Sequence, residues 1–566
     1  MMTNRFHTTL AAALALAFSA PLSAADFPPL EVVAVDPLIK IFRDDDVAGT
    51  PAAHADAARG EHATYQVVVK GLPIDLKNLH CETTPFVAQD DADEIHPDAA
   101  IEPGKVRFVD YIGSSISATV TTPSQQLRPA PAMYPDILRP AEHVDVQSGT
   151  NQAIWITVPV GLETEPGDYI ATSTVTARMF GVETSVSVPL TLRVYPAKIE
   201  ETRLNATLWY QAWHHDGWTI PPRYSDEYVE VIRGYIRNMQ EHRVNWAWLE
   251  TQNSMIFSED AAGKLQVDFT NFDKMMTMFF EEGVKKVEGQ HFAFRTQGWH
   301  SDFGVQVYRN HNGTWKPTKV AADSEEAERF FSVYFPALES HLEEKGWLDR
   351  YMQHVGDEPL DRNVDSYTTA AALLKRYAPR IPIMEACQTE KMIGTVNTWI
   401  PQLDHFHKGY DFFKDRIADG DDVWFYTCMY PQGDYPNRFL EQPLIQTRLL
   451  HWMNYRYGAT GYLHWGYNYW TPYPWENAAD YRMMQLPGGD AHIVYPAPGG
   501  PGVWDSIRFE AMRDGIEDHE LLSQLGEKNP EAAMEFAKRH ILDFDKVDID
   551  VEKFRATRRE LLELLR

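Results

Sequence analysis

The chain has 566 residues, of which 44% are hydrophobic and 23% charged, and this length and balance predict a globular protein of roughly two to four domains. Its formal net charge is −29, from 52 basic and 81 acidic side chains. Because this charge repels phosphate backbones and anionic lipid, the sequence argues against a protein that binds nucleic acids or a membrane surface.

The first residues have the pattern of a secretory signal peptide. Arg5 supplies a positive charge, residues 10–20 are apolar, and Ala24 is a small residue at a suitable cleavage position. The apolar run is too short to span a bilayer, and no later stretch is long enough to do so. We therefore expect residues 1–24 to be removed and the protein to be exported to the periplasm or the medium; a buried N-terminal helix is the alternative.

Residues 25–200 carry short runs of alternating apolar and polar side chains, separated by Gly, Pro, Asp and Asn. The clearest runs are 153–160, 169–177 and 185–195. This alternation is typical of antiparallel strands with one buried face, so the region predicts a β-sandwich domain. Three cysteines cannot pair completely, so no disulfide framework is expected.

From residue 201 the pattern changes to alternating strands and helices. The candidate strands are 204–210, 243–250, 288–296, 350–358, 381–389, 395–401, 422–429 and 459–468. Helical spacing marks residues 225–242, 364–377 and 444–457, and Gly458 is expected to end the last of these helices.

Eight such units predict a (β/α)8 TIM-type barrel over residues 201–528, followed by a helical tail over 529–566. A doubly wound sheet is the rival fold. No glycine-rich phosphate loop follows any of the strands, which argues against a dinucleotide-binding version of that rival.

Acidic residues stand at the end of the fourth candidate strand, where barrel enzymes place their chemistry. The segment reads Gly356-Asp357-Glu358-Pro359. In a regular strand the two carboxylates would point to opposite faces, so they can serve one site only if the chain turns there. We expect Gly356 to permit that turn and Pro359 to end the strand.

Two carboxyl groups with different tasks are what the cleavage of a glycosidic bond requires. In the common retaining scheme the second carboxylate attacks the sugar, with the pair about 5 Å apart. Adjacent residues suit a different scheme better, in which the 2-acetamido oxygen of the substrate itself attacks the anomeric carbon. An aspartate would then orient the acetamido N–H, and a glutamate would act as acid and later as base.

The second half of the predicted barrel resembles glycoside hydrolase family 123, the β-N-acetylgalactosaminidases. The resemblance rests on several blocks in order, and residues 166–169 of the expected sandwich also suit it. The blocks are 356–359, 424–428 with Asn437 and 443–444, 461–470, and 506–518 preceded by Tyr495 and Pro496.

This resemblance implies that Glu358 is the general acid/base, that Asp357 orients the acetamido group, and that configuration is retained through an oxazoline-like intermediate. It also implies an aromatic wall around the acetamido methyl and a side chain that binds a sugar hydroxyl. The expected substrate-binding residues are Tyr426, Trp465, Trp470 and Asn468, with Trp213, His215 and His300 as further candidates.

The resulting hypothesis is an exo-acting β-N-acetylgalactosaminidase whose partner is a glycan with terminal β-linked GalNAc. The alternatives are a related β-hexosaminidase, another glycosidase with a different sugar preference, and a carbohydrate-binding protein without catalysis. We expect no metal or other cofactor, because the histidine spacings match no zinc pattern. The choice between GalNAc and GlcNAc depends on contacts to the C4 hydroxyl, which the sequence does not locate.

Overall fold

The computed structural model describes residues 28–89, 95–117, 126–212, 214–215, 217–481 and 484–566. The expected signal peptide and Trp213 lie outside these ranges. Among the described helices, none combines the length and the apolar character that crossing a bilayer would require. All three cysteines are free thiols.

Strands dominate the described residues before 200. They are β1 (Val32–Val35), β2 (Ala53–Arg59), β3 (His62–Val69), β4 (Leu76–Thr83), β5 (Phe86–Gln89), β6 (Ile95–Ile101), β7 (Lys105–Ser114), β8 (Ala132–Arg139), β9 (Val144–Val146), β10 (Gln152–Pro159), β11 (Gly167–Met179) and β12 (Val182–Lys198).

These strands form two sheets that share one hydrophobic core. The first has the order β1-β3-β10-β7-β8 and the second β2-β12-β11-β4-β9, with β5 and β6 added beside β11. Val67 and Ile154 of the first sheet belong to the same buried cluster as Val175 and Leu190 of the second. The period-two alternation of the sequence therefore places one face of each sheet in the core between them.

The next region alternates strands and helices. Its elements are β13 (Asn205–Leu208), α1 (Asp226–Glu241), β14 (Trp246–Leu249), α2 (Thr251–Ser254), β15 (Ile256–Glu259), β16 (Leu265–Asp268), α3 (Thr270–Glu281), β17 (Lys286–Gly289), β18 (Ala293–Arg295), β19 (Phe303–His311), β20 (Thr314–Ala321), α4 (Glu325–Glu344), β21 (Tyr351–Gln353), α5 (Val364–Tyr377), β22 (Met384–Cys387), β23 (Thr398–Pro401), α6 (Leu403–Lys408), α7 (Tyr410–Ala418), β24 (Asp422–Tyr426), α8 (Leu444–Tyr457) and β25 (Gly461–His464).

Eight of these strands form one curled sheet. β14, β17 and β21 pair in parallel, as do β22, β23, β24, β25 and β13. A parallel bridge between Gln353 and Ile383 joins the two groups at one edge. At the other edge the Asn245 amide donates to the Ala206 carbonyl over 3.2 Å. The carboxyl ends of all eight strands therefore meet on one side of the sheet.

Short strand pairs and helices complete the chain. They are β26 (Asp480–Tyr481), β27 (Met484–Gln485), β28 (Tyr495–Pro496), β29 (Val503–Trp504), α9 (Ile507–Lys528), α10 (Pro530–His540), β30 (Ile541–Asp543), β31 (Lys546–Val547) and α11 (Val551–Leu564).

Helix boundaries follow local chemistry. The Ser225 side chain accepts a hydrogen bond from the Tyr228 amide at the start of α1, which satisfies one of the free N–H groups there. Gly458 ends α8 in the left-handed region with φ 72°, as its position in the sequence predicts.

Several strands are shorter than the sequence predicts, and the fourth predicted strand loses most of its carboxyl end. Residues 350–358 were expected as one strand, but β21 ends at Gln353. The amides of Val355 and Gly356 donate to the buried carboxylate of Glu385 instead of to a neighbouring strand. The Glu385 carboxylate thus replaces the strand partner of these two amides, so strand pairing ends and the loop with the candidate site begins.

Helix α9 fastens the curled sheet to the N-terminal sheets. The Arg508 guanidinium makes two bonds of 2.9 Å to the carboxylate of Asp136 in β8, and both side chains are fully buried. Arg107 of β7 reaches Glu510 of α9 over 2.6 Å. Both ion pairs are buried, so the contact between α9 and the N-terminal sheets contains charged groups that are shielded from solvent.

Candidate active site

The two predicted catalytic carboxylates lie in the loop that follows β21. The chain turns at Glu358, whose φ of 47° is left-handed, a conformation that few residues other than glycine adopt. The chain bends over residues 356–358, as expected, but Gly356 is not among the positive-φ residues, and the left-handed residue is Glu358. A Cβ atom at Gly356 would lie 2.8 Å from the Phe303 ring, so glycine is needed there for close packing. The strain sits on the candidate acid itself, as it often does at functional sites.

Glu358 is hydrogen-bonded to Tyr426, the last residue of β24. The Tyr426 hydroxyl donates to Glu358 Oε1, and Gln388 Nε2 donates to that hydroxyl over 3.3 Å. Burial, and then the negative charge of Asp357, raise the pKa of Glu358 to about 8. The carboxyl group is therefore protonated at neutral pH, which is the state that a general acid needs.

Arg295 holds the backbone of the catalytic pair. Its Nη1 donates to the Asp357 carbonyl and its Nη2 to the Glu358 carbonyl, each over 2.7 Å. Its Nε donates to the Trp299 carbonyl, also over 2.7 Å. One guanidinium thus fixes three carbonyl groups, so it restrains the backbone at the left-handed Glu358.

The carboxylate of Glu385 accepts hydrogen bonds from the loop that follows β21. Beyond the two loop amides, it accepts from the Tyr367 hydroxyl over 3.2 Å and lies 3.1 Å from both His291 Nε2 and His354 Nδ1. Burial alone would raise its pKa, but His291 and His354 lower the pKa of Glu385 to about 2. It remains ionised and acts as a common acceptor beneath the catalytic pair.

His354 lies between two buried carboxylates. Its Nε2 is 2.9 Å from Glu288 Oε2, on the side away from Glu385. Burial opposes its charge, yet these two partners raise the pKa of His354 to about 9. Both ring nitrogens then donate, as only the imidazolium permits. His291, His354 and Glu385 are close enough to share a metal ion, but the donors of His354 are already engaged by carboxylates.

Trp209, just beyond the end of β13, covers this histidine pair. Its ring lies edge-on to His291 at 5.5 Å and to His354 at 5.6 Å, and it stacks on Trp248 at 6.0 Å. The loops after the strands therefore bring aromatic rings over the charged network.

Of the predicted substrate-binding residues, Tyr426 contacts the catalytic pair directly. Trp465 is partly buried, and its Nε1 donates to Asp490 Oδ1 over 3.3 Å. Trp470 is only 7% exposed and donates from Nε1 to the Val494 carbonyl over 2.8 Å. The structure thus makes Trp470 a packing residue.

Asn468 differs from its expected role in binding a sugar hydroxyl. It is fully buried, its Oδ1 accepts from the Gln211 amide over 2.9 Å, and its Nδ2 donates to the Gln211 carbonyl over 2.8 Å. Because both ends of its amide are occupied, Asn468 anchors the loop after β13 instead.

Two further candidates, His215 and His300, lie in the loops after β13 and β18. The ring of His215 packs 5.2 Å from Trp218 and 5.6 Å from Trp470. His300 is exposed next to Trp299. Trp213 lies outside the described residues.

Sequence reasoning missed Arg295, Gln388 and Glu385 as parts of the site. Each falls inside a strand that the sequence predicts: Arg295 and Gln388 are one residue from the carboxyl end, and Glu385 is at the middle of its strand. For Arg295 and Gln388, position near the carboxyl end of a predicted parallel strand was the signal that could have identified them.

The fold and the site together define a glycosidase: a protonated carboxyl group stands beside a second carboxylate, at the carboxyl ends of parallel strands. The model of the glycoside hydrolase 123 catalytic domain matches residues 197–525, and that of the glycoside hydrolase 123 N-terminal domain matches residues 45–177. The chain belongs to glycoside hydrolase family 123.

Solved structures include a similar fold. A family 123 glycoside hydrolase from Clostridium perfringens, studied for glycolipid glycan hydrolysis, aligns over 95% of this chain and 97% of its own, with 15% identity and a TM-score of 0.73. A termite-gut GH10 xylanase with an Ig-like domain aligns over 83% of this chain and 100% of its own, with 10% identity and a TM-score of 0.33. A search of curated proteins found no match.

Proposed function

We propose that the protein is a retaining, exo-acting β-N-acetylgalactosaminidase that removes terminal β-linked GalNAc from glycans. The observation that carries this proposal is the place of Glu358, a carboxyl group hydrogen-bonded to Tyr426 and adjacent to Asp357 in a family 123 catalytic domain, where burial and the charge of Asp357 raise its pKa. A protonated acid next to a carboxylate has the two functions that glycosidic cleavage with acetamido participation requires.

In the proposed reaction, Glu358 gives its proton to the glycosidic oxygen while the bond from that oxygen to the anomeric carbon breaks. The acetamido oxygen of the substrate forms the new bond to the anomeric carbon, which gives an oxazolinium ion. Asp357 accepts the acetamido N–H as a hydrogen bond and offsets the positive charge. Water then attacks the anomeric carbon while the bond from that carbon to the acetamido oxygen breaks, which regenerates the acetamido group. The attacking water gives a proton to the Glu358 carboxylate, and the two inversions together retain the configuration.

The proposed substrates are the glycans of glycolipids or glycoproteins. The relative from Clostridium perfringens supports the first class, because its study concerns glycolipid glycan hydrolysis. A related β-hexosaminidase and a non-catalytic carbohydrate-binding protein are the alternatives that the experiment below distinguishes.

We further propose that the curled sheet is a closed (β/α)8 barrel over residues 201–528 and that residues 25–200 form a β-sandwich. The parallel order of the eight strands and the core shared by the two N-terminal sheets support this architecture. Residues 529–566 would be a C-terminal helical extension. Residues 1–24 would direct export to the periplasm or the medium, which N-terminal sequencing of the secreted protein would test.

The first test is the release of p-nitrophenol from aryl β-glycosides of GalNAc, GlcNAc and galactose. We expect turnover of the GalNAc substrate and none of the galactoside, because galactose lacks the acetamido nucleophile. Similar rates on galactoside and GalNAc substrates would exclude acetamido participation, faster turnover of GlcNAc would favour a β-hexosaminidase, and binding without turnover would favour a carbohydrate-binding protein.

Replacing Asp357 with Asn tests the orienting role. The amide keeps the size of the side chain but loses the charge that offsets the oxazolinium ion, so kcat should fall about 100-fold or more while KM changes little. The measurement is steady-state kinetics on the aryl GalNAc substrate. An Asp357→Asn enzyme with the wild-type rate would remove Asp357 from the mechanism.

A further inference from the structure

Trp299 is a solvent-exposed aromatic residue beside the catalytic pair. Its side chain is 46% exposed, and the guanidinium carbon of Arg295 lies 3.9 Å from the centre of its ring. The cation covers one face of the indole, a favourable arrangement for both groups. The exposed area therefore belongs to the opposite face and the edges of the ring.

The position of this ring is tied to that of the catalytic pair. The same Arg295 that covers the indole donates to the carbonyl groups of Asp357, Glu358 and Trp299. Arg295 therefore links the backbone of the Trp299 loop to the backbone of Asp357 and Glu358, and the indole packs on the same guanidinium.

The loop that carries Trp299 is closed by its own hydrogen bonds. The Thr296 amide donates to the Asp302 carbonyl over 3.0 Å, and the Gln297 amide to Ser301 Oγ over 3.0 Å. Asn363, at the start of α5, donates from Nδ2 to the Ser301 carbonyl over 3.1 Å. A large aromatic surface held in this way needs little ordering when a ligand binds.

We propose that the free face of Trp299 is the stacking platform for the sugar on the leaving-group side of the scissile bond. This inference rests on the proposed function, because an exo-acting enzyme places the terminal sugar against Glu358 and the next sugar outside it. A pyranose ring presents an apolar face of C–H groups, which a flat indole can cover. The neighbouring carboxylate of Asp357 disfavours an anionic sugar, so the ligand is a neutral hexose.

The test compares two substrates whose leaving groups are both aliphatic alcohols. One is methyl β-N-acetylgalactosaminide, which has nothing to stack; the other is GalNAc β-linked to galactose. For Trp299→Ala, we expect kcat/KM on the disaccharide to fall about tenfold, mainly through KM, and kcat/KM on the methyl glycoside to change by less than about twofold. Trp299→Phe should recover part of the loss, since it restores a flat ring.

Phe180→Ala is the matched control, because Phe180 is also an exposed aromatic residue, 65% exposed, but lies between β11 and β12. It should leave both substrates unaffected. Equal losses on both substrates for Trp299→Ala would show that Trp299 acts through Arg295 on the chemical step, and no loss on either would show that it binds no sugar; both results would overturn the inference. If the wild-type enzyme releases no GalNAc from either substrate, the proposed function fails, and the inference with it.

Discussion

Glu358 shows how a single residue takes its chemistry from its surroundings. A carboxyl group in water would be ionised at neutral pH, but burial and the charge of Asp357 reverse this. The same residue has a left-handed backbone, which the bonds from Arg295 restrain. Charge state and position are thus set by different neighbours, so they can be changed separately.

Glu358→Gln removes the transferable proton and keeps the shape of the side chain. On a substrate with a poor leaving group, we expect kcat to fall about 100-fold or more, since general acid catalysis contributes about that much. An activated aryl glycoside needs less help at the leaving group, so its cleavage should be affected less. Equal rates for the variant and the wild type on a natural disaccharide would contradict the role of Glu358.

The dependence of kcat/KM on pH tests whether the Glu358 carboxyl group is the essential acid. Glu358 must be protonated to act, and its pKa is raised to about 8, so kcat/KM should be highest below this value and fall as the pH rises through it. The measurement is a pH profile of kcat/KM on the disaccharide, with circular dichroism at each pH to confirm folding. An enzyme that loses activity as the pH rises from about 5 to 6 would have a different essential acid.

At the scale of elements, the loop between β21 and α5 depends on a side chain from another strand. Glu385 of β22 accepts two amides of that loop and also contacts the imidazolium of His354. The catalytic pair is therefore held by a buried charge from β22 and by Arg295 from β18. This arrangement fixes the loop without strand pairing.

Replacing Glu385 with Gln should destabilise the protein by about 3–5 kcal/mol, because a buried imidazolium loses one of its two counter-charges. The measurement is the free energy of unfolding from urea denaturation. The matched control is Glu326→Gln, which removes an ion pair to Arg309 at the surface and should cost no more than about 1 kcal/mol. Equal effects for the two variants would show that the buried network does not stabilise the loop.

On the scale of the whole molecule, α9 carries charged side chains that reach into the N-terminal sheets. Arg508 is paired with Asp136 of β8 and also donates to the carbonyls of Arg438 and Gly489. The buried pair therefore connects the N-terminal region, helix α9 and the loops near β25. We expect these parts to unfold together in the wild type.

Asp136→Asn would leave the Arg508 charge buried without its partner. We expect a loss of about 3–5 kcal/mol in the free energy of unfolding, together with two resolved transitions in differential scanning calorimetry, because the contact between the two regions is weakened. Lys77→Met, which removes an exposed pair with Asp145, is the control. A single transition at the wild-type temperature for Asp136→Asn would show that this pair does not couple the two regions.

The sequence by itself determined the change from strands to alternating strands and helices and the family resemblance, and it singled out the acidic pair that we propose as catalytic. Period-two alternation, helical spacing and residues such as Ser225 and Gly458 act locally, so they can be read along the chain. The Asp357-Glu358 pair was visible because the two residues are adjacent and close a run of the sequence that predicts a strand.

Only the tertiary structure decided which distant residues surround that pair. Arg295, Glu385 and Tyr426 come from three different strands, and their hydrogen bonds to the loop leave no periodic signal. Asn468 shows the reverse case: the sequence suggested that it binds a sugar hydroxyl, but both ends of its side-chain amide are hydrogen-bonded to the backbone of Gln211. Raised pKa values, buried charge pairs and the position of the turn at Glu358 arise from packing between elements, so they follow from the folded arrangement and not from any local pattern.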